Sequence, residues 1–132
     1  METDYWHALD KRTAEQFQIN PKVLGISHGI GDVAKGLKAN IFAGGSVVEL
    51  GFMGVGKGSR NTPGGVTPEL FGKAEREDMR NMAKINDVVV TTHATANVQG
   101  FAGLDPQGGF KAEKREEALH EIERAIDFAA DM

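Results

Sequence analysis

The chain has no cysteine, which excludes disulfides and thiolate chemistry and fits a reducing, cytoplasmic setting. It has no apolar run long enough to span a bilayer. Its first residues, Met1-Glu2-Thr3-Asp4-Tyr5-Trp6, are acidic and lack a signal-peptide pattern. It also lacks an excess of positive charge: the formal net charge is -4, where a nucleic-acid surface usually leaves a basic footprint. A local basic groove is still compatible with that sum. What is plentiful is glycine. The 132 residues include 17 glycines, about twice the usual share of roughly 7%, and most lie between Gly25 and Gly109. The remaining composition, 40% hydrophobic and 26% charged, is that of one globular domain with a modest core.

Residues 1–20 form a polar N-terminal extension in which Ala8, Ala14 and Phe17 suit a short helix ended by Pro21. Residues 22–52 hold the first two strands. Lys22-Val23-Leu24-Gly25-Ile26-Ser27 is short and apolar and is bounded by Pro21 and the His28-Gly29 turn. Asp32 caps a helix with Val33, Ala34 and Leu37 on one face, and Gly36 weakens it by about 1 kcal/mol relative to Ala. Gly44-Gly45 precedes the second strand, Ser46 to Phe52, and a Gly-rich loop runs on to about Val66.

Residues 67–132 supply the second helix, the third strand and the last helix. Thr67-Pro68-Glu69 reads as a helix start. The helix runs to about Lys84, with a possible break at Gly72 and with Phe71, Ala74, Met79, Met82 and Ala83 toward a core. Asp87-Val88-Val89-Val90-Thr91-Thr92-His93 is a buried strand by its β-branched content. After a second Gly-rich loop, 94–110, a helix over 111–132 places Leu119, Ile122, Ile126 and Ala129 on one stripe. In the loop, Phe101 and Phe110 either pin it to the domain or form a lid or partner contact. Three successive strand–helix units predict an α/β fold with a parallel sheet, either a small open sheet or part of something larger.

Parallel strands gather their C-terminal ends at one rim, where α/β proteins place their chemistry. That rim holds His28, Glu49 and His93. Two imidazoles and a carboxylate suit zinc, manganese or iron. The plainer alternative has His28 capping a turn and Glu49 paired with a basic group. His7 and His120 read as surface residues. Gly51-Phe52-Met53-Gly54-Val55-Gly56-Lys57-Gly58-Ser59 follows a strand as a phosphate-binding loop would. However, Gly58 stands where Ser or Thr must follow the Lys, and 60–65 cannot open a helix. No nucleotide is therefore expected. Lys57 and Arg60 remain candidates for contacting an anion, against the alternative of a solvated loop.

Residues 46–132 resemble the early part of the xylose-isomerase-like TIM barrels, a family that includes sugar isomerases and epimerases and the endonuclease IV group. Val48-Glu49-Leu50 after a Gly-rich turn is similar to that family's second strand, and His93-Ala94 to the segment ending its third. Lys114-Arg115-Glu116-Glu117-Ala118-Leu119, followed by Ile122, Ala125, Ile126 and Ala129, resembles the next helix. The resemblance implies a partial, half TIM-type barrel of three βα units, against the eight such a barrel needs. It implies His93 as a zinc ligand and a metal-dependent enzyme acting on sugars, sugar phosphates or abasic DNA. Where that family has Pro and Tyr, this chain has Thr95 and Ala96, so an aromatic used near damaged DNA is missing. The resemblance carries over His93 alone; the strand-end rim adds His28 as a further metal ligand, for Zn or Mn, and Glu49 as a second ligand or a catalytic base. A homo-oligomer or a second chain completes the barrel. The competing expectation is a self-assembling or partner-docking module without catalysis, because a short parallel sheet exposes apolar edges.

Overall fold

A computed structural model describes residues 23–28, 31–58, 65–98 and 100–132. The expected N-terminal helix, His7 and Arg60 lie outside the described residues. Three strands form one parallel sheet in the order of the chain: β1 (Gly25–Ser27), β2 (Val47–Gly51) and β3 (Val89–His93). The register pairs Ser27 with Glu49, Glu49 with Thr91 and Gly51 with His93. Among the described residues the sheet is open, with β1 and β3 as its edges. β1 is shorter than the run beginning at Lys22 suggests. Among the described residues it pairs on one side only, and Val23 and Leu24 are exposed rather than built into the ladder.

Helix α1 (Val33–Phe42) starts where expected. Asp32 Oδ1 accepts from the Ala34 and Lys35 N–H groups at 3.0 and 3.1 Å, satisfying two donors that have no partner inside the helix. The next helix does not start at Thr67. Pro68–Leu70 is a single 3-10 turn, Phe71 is extended, and α2 (Lys73–Ile85) begins after Gly72. The Gly72 N–H donates to Glu75 Oε2 at 2.9 Å. The extended backbone at Phe71 goes with a ring that is fully buried. Phe71 packs tilted on Phe52, with centroids 6.5 Å apart, and edge-on to Phe128 at 6.1 Å, while Phe52 and Phe128 are 5.0 Å apart. Each such aromatic pair contributes about 0.5–1.5 kcal/mol beyond burial.

Pleating sorts the sheet into two unlike faces. Val48, Leu50 and Val90 pack with Val33 and Leu37 of α1, Met79 of α2 and Phe128 of α3 (Ala112–Asp131). The three helices of the described residues therefore cover one face. The other face carries Val47, Glu49, Gly51, Val89, Thr91 and His93, none of them buried, and Val89 is 60% exposed. A strand at the centre of a parallel sheet should be buried on both sides. β2 is buried on one.

The stripe on α3 is not the expected one. Ala118, Glu121, Ala125 and Phe128 face inward, whereas Leu119 and Ile122 are half-buried and Ile126 and Ala129 are exposed. Phe128 sets the rotation because its ring belongs to the aromatic trio, and Ala118 and Ala125 let the helix approach closely. Arg76 fastens the far end of the helix. Its guanidinium stacks 5.2 Å from the Phe128 ring centroid and donates to Asp131 Oδ2 at 2.8 Å, to Phe71 O at 2.9 Å and to Pro68 O at 3.2 Å.

Candidate functional site

The C-terminal ends of the strands open onto a cleft of about 220 Å³ lined by Ser27, His28, Glu49, Gly51, Phe52, Met53, His93 and Ala96. All three candidate residues of the rim thus border one cleft, but they do not point the same way. Counting from Gly25, Ser27 shares the open face with Glu49, and its hydroxyl donates to Glu49 Oε1 at 3.0 Å. Thr91 is level with them, and His93 lies one row further on, opposite Gly51. With strands about 4.8 Å apart and a rise of about 3.3 Å per residue, Glu49 and His93 are diagonal neighbours roughly 8 Å apart at the backbone. Gly51 leaves open the position beside His93: a Cβ built there meets nothing within 4 Å.

His93 Nδ1 is 2.5 Å from the carbonyl oxygen of Ala94. A carbonyl only accepts, so Nδ1 carries the proton. The lone pair of the neutral ring is then on Nε2, the tautomer that metal-binding histidines adopt when a carbonyl holds the other nitrogen. His93 is exposed on an edge strand.

His28 follows the pleat to the opposite side. Its backbone N–H still extends the ladder, donating to Glu49 O at 2.8 Å. Its ring lies against Gly36 of α1, in the space a Cβ there would fill, and its Nε2 is buried with no hydrogen-bond partner. Among the described residues no three His, Asp or Glu side chains are gathered to hold a metal ion. Glu49 and His93 are therefore two donors on one face, and His28 stands apart from them.

Lys57 is outside this cleft. It lines a separate one with Thr67, Glu69, Leu70 and Arg124. The segment around Lys57 is not a free loop. The Met53 and Gly54 N–H groups donate to Val66 O at 3.3 and 2.8 Å. Gly58 lies so close to this segment that a Cβ on it would stand 1.7 Å from Gly65 O. The loop after β3 is tied down in turn. Ala96 N–H donates to Phe52 O at 3.0 Å, and the Asn97 amide donates to Met53 O.

Sequence reasoning missed two residues here. Ser27 orients Glu49, and the strand parity that pairs them was available from the two runs. Glu121, which reads as part of a solvated charged face, is 2% exposed. Its Oε1 accepts from Gly56 N–H at 2.7 Å and from the Arg124 guanidinium. No local pattern marks a buried glutamate on a helix rich in glutamates. Phe101 and Phe110 do not pin their loop, being 63% and 72% exposed. The loop is instead held by Asp105, which accepts from Gln107 N–H at 2.9 Å, pairs with Lys111, and bonds through its backbone to Gly108 and Gly109. The Lys111 ammonium, then the Gln107 N–H, hold the Asp105 carboxyl below its ordinary value of 3.8.

No helix of the described residues is long and apolar enough to cross a membrane. Protein-family models, curated proteins and solved structures offer no match to this chain.

Proposed function

We propose that this chain is a βα half-barrel of the xylose-isomerase-like type, whose open sheet face carries part of a divalent-metal site for a sugar or sugar phosphate. The observation that carries the reading is the His93–Glu49 face. An imidazole with Nε2 left free and a carboxylate held by Ser27 stand together at the C-terminal end of parallel strands. The helices of the described residues all lie on the opposite face, as in a barrel, whereas a doubly wound sheet has them on both. His93 and Glu49 are the ligands, for Zn or Mn. Catalytic metal sites commonly take three protein ligands, so at least one more comes from strands beyond these three. When bound, the ion supplies polarisation of a substrate oxygen. Glu49 alternatively takes a proton as base, with Ser27 fixing its orientation. Abasic DNA is the less favoured substrate, given the net charge and the absence of the family's aromatic after His93.

Calorimetric titration with Zn²⁺ and Mn²⁺, read beside native mass spectrometry, tests this. Saturable binding that weakens at least tenfold in His93→Ala and in Glu49→Gln is expected. A wild-type protein that binds neither ion, or variants that bind as well as wild type, would sink the assignment.

The second reading is a docking or self-assembling module without catalysis. It draws on the same uncovered face, where Val47 and Val89 flank Glu49 and Thr91, and on the exposed edge at Val89. A symmetric metal-free oligomer with no affinity for either ion favours it.

A further inference from the structure

Glu49 and His93 give one copy of the chain two metal donors, and among the described residues no third His, Asp or Glu joins them. The face they stand on is self-complementary. Across β2 and β3 the register sets Val47 beside Val89, Glu49 beside Thr91 and Gly51 beside His93. A two-fold axis running along the strands, between β2 and β3, lays β2 of one copy over β3 of a second. Val47 of each copy then meets Val89 of the other. His93 of each stands over Gly51 of the other, in space that Gly51 leaves open, since a Cβ there would meet nothing within 4 Å. The remaining positions of this face on the strands, Gly25, Ser27 and Thr91, are small.

Packed sheets lie about 10 Å apart with their strands nearly aligned. With strands about 4.8 Å apart and a rise of about 3.3 Å per residue, the point on the axis level with the middle of the Glu49–His93 diagonal is about 6.5 Å from all four Cα atoms. A glutamate or histidine side chain plus a ligand bond of about 2 Å spans that distance. The diagonals of the two copies cross there at about 70°, close to the right angle between ligand pairs in a tetrahedral zinc site. The charges agree with a divalent ion. Two carboxylates neutralise it, and two neutral imidazoles with Nε2 free complete the set. Without the ion, the two carboxylates oppose the pairing. The three-stranded face measures only about 14 by 17 Å, well short of the roughly 800 Å² a side that a standard interface buries, so the valine contacts need the metal.

We propose that two copies of this chain pack face to face across one shared Zn²⁺, held by Glu49 and His93 of each. The inference rests on the metal reading and adds the partner: the further ligands come from a second copy, and the ion controls the pairing. Four protein ligands make a closed site, so a substrate oxygen enters as a fifth ligand or in place of a carboxylate.

Native mass spectrometry of the chain, with Zn²⁺ and then with EDTA, tests this. A dimer carrying one zinc is expected, and EDTA should return it to monomer. His93→Ala and Glu49→Gln should stay monomeric with zinc present. Val89→Arg leaves both donors in place and sets a cation where the valines meet, so it should weaken the dimer at least tenfold. Zinc bound one per chain by a monomer overturns the shared site and leaves the metal reading standing. Two ions per dimer, a dimer that survives EDTA, or zinc-induced dimers of either ligand variant or of Val89→Arg at wild-type strength overturn it as well. A chain that binds no zinc overturns the metal reading itself, and this inference with it.

Discussion

Gly36→Ala should destabilise this protein, although the same change in an ordinary helix interior stabilises by about 0.8–1 kcal/mol. The reason is the His28 ring. A Cβ on Gly36 would stand 1.8 Å from Nδ1, 2.0 Å from Cε1 and 2.5 Å from Cγ. No such contact is tolerable, so the imidazole must leave its place beside α1. Forcing volume into a packed contact costs about 1–3 kcal/mol. Set against the helix gain, the net is a loss of roughly 0–2 kcal/mol. Removing the ring removes the conflict. In a His28→Ala background, Gly36→Ala should stabilise by about 1 kcal/mol, so the two sites couple by roughly 1–3 kcal/mol. Urea denaturation of the four proteins of the cycle measures this, with the midpoint moving at constant m-value. If Gly36→Ala stabilises the wild-type background as much as the His28→Ala background, the ring does not occupy that space and the placement of His28 on the helix side is wrong.

Two further outcomes follow from the core and the Asp105 loop. Phe128→Ala removes the ring that joins Phe52, Phe71 and Arg76 and should cost about 3–5 kcal/mol; a loss under 1 kcal/mol in urea would mean that the trio is not the centre of the core. Asp105 has a folded-state pKa below its unfolded value of 3.8, so its contribution is complete above that pH and is lost as pH falls through the lowered folded value. A carboxyl NMR titration should place the Asp105 midpoint below 3.8, and Lys111→Ala should move it up; a wild-type midpoint at or above 3.8 contradicts the pairing with Lys111.

The three strands, the Asp32 cap and the break at Gly72 were legible because each has a local cause: β-branched and apolar runs, a side-chain oxygen at a helix start, a residue with no Cβ; which strand pairs beside which was not. Nor was the rotation of α3. Two stripes on that helix have three- and four-residue spacing, and the more apolar one, with Ile122 and Ile126, is the outer one. Phe128 settles the choice through contacts with Phe52 and Phe71, which no window along the helix contains. The candidate site shows the same division. His93 and Glu49 could be placed at one rim from strand direction alone, whereas the separation of His28 from them depends on a one-residue parity that the turn after Ser27 does not announce. Glu121 was hidden for a different reason: its partner Gly56 is 65 residues away.

The sheet's parallel pairing bears on how the protein reaches its fold. Ser27 and Glu49, neighbours across β1 and β2, are 22 residues apart, and Asn97 meets Met53 across 44. No strand here can find its partner through a tight turn; each pairing waits for a helix to cross back. Closing such loops comes before the contacts that reward it, so refolding should be slow beside that of a helical bundle of this length. Until β3 docks, the edge of β2 is open to other chains as well, and the yield of refolded protein should fall as its concentration rises.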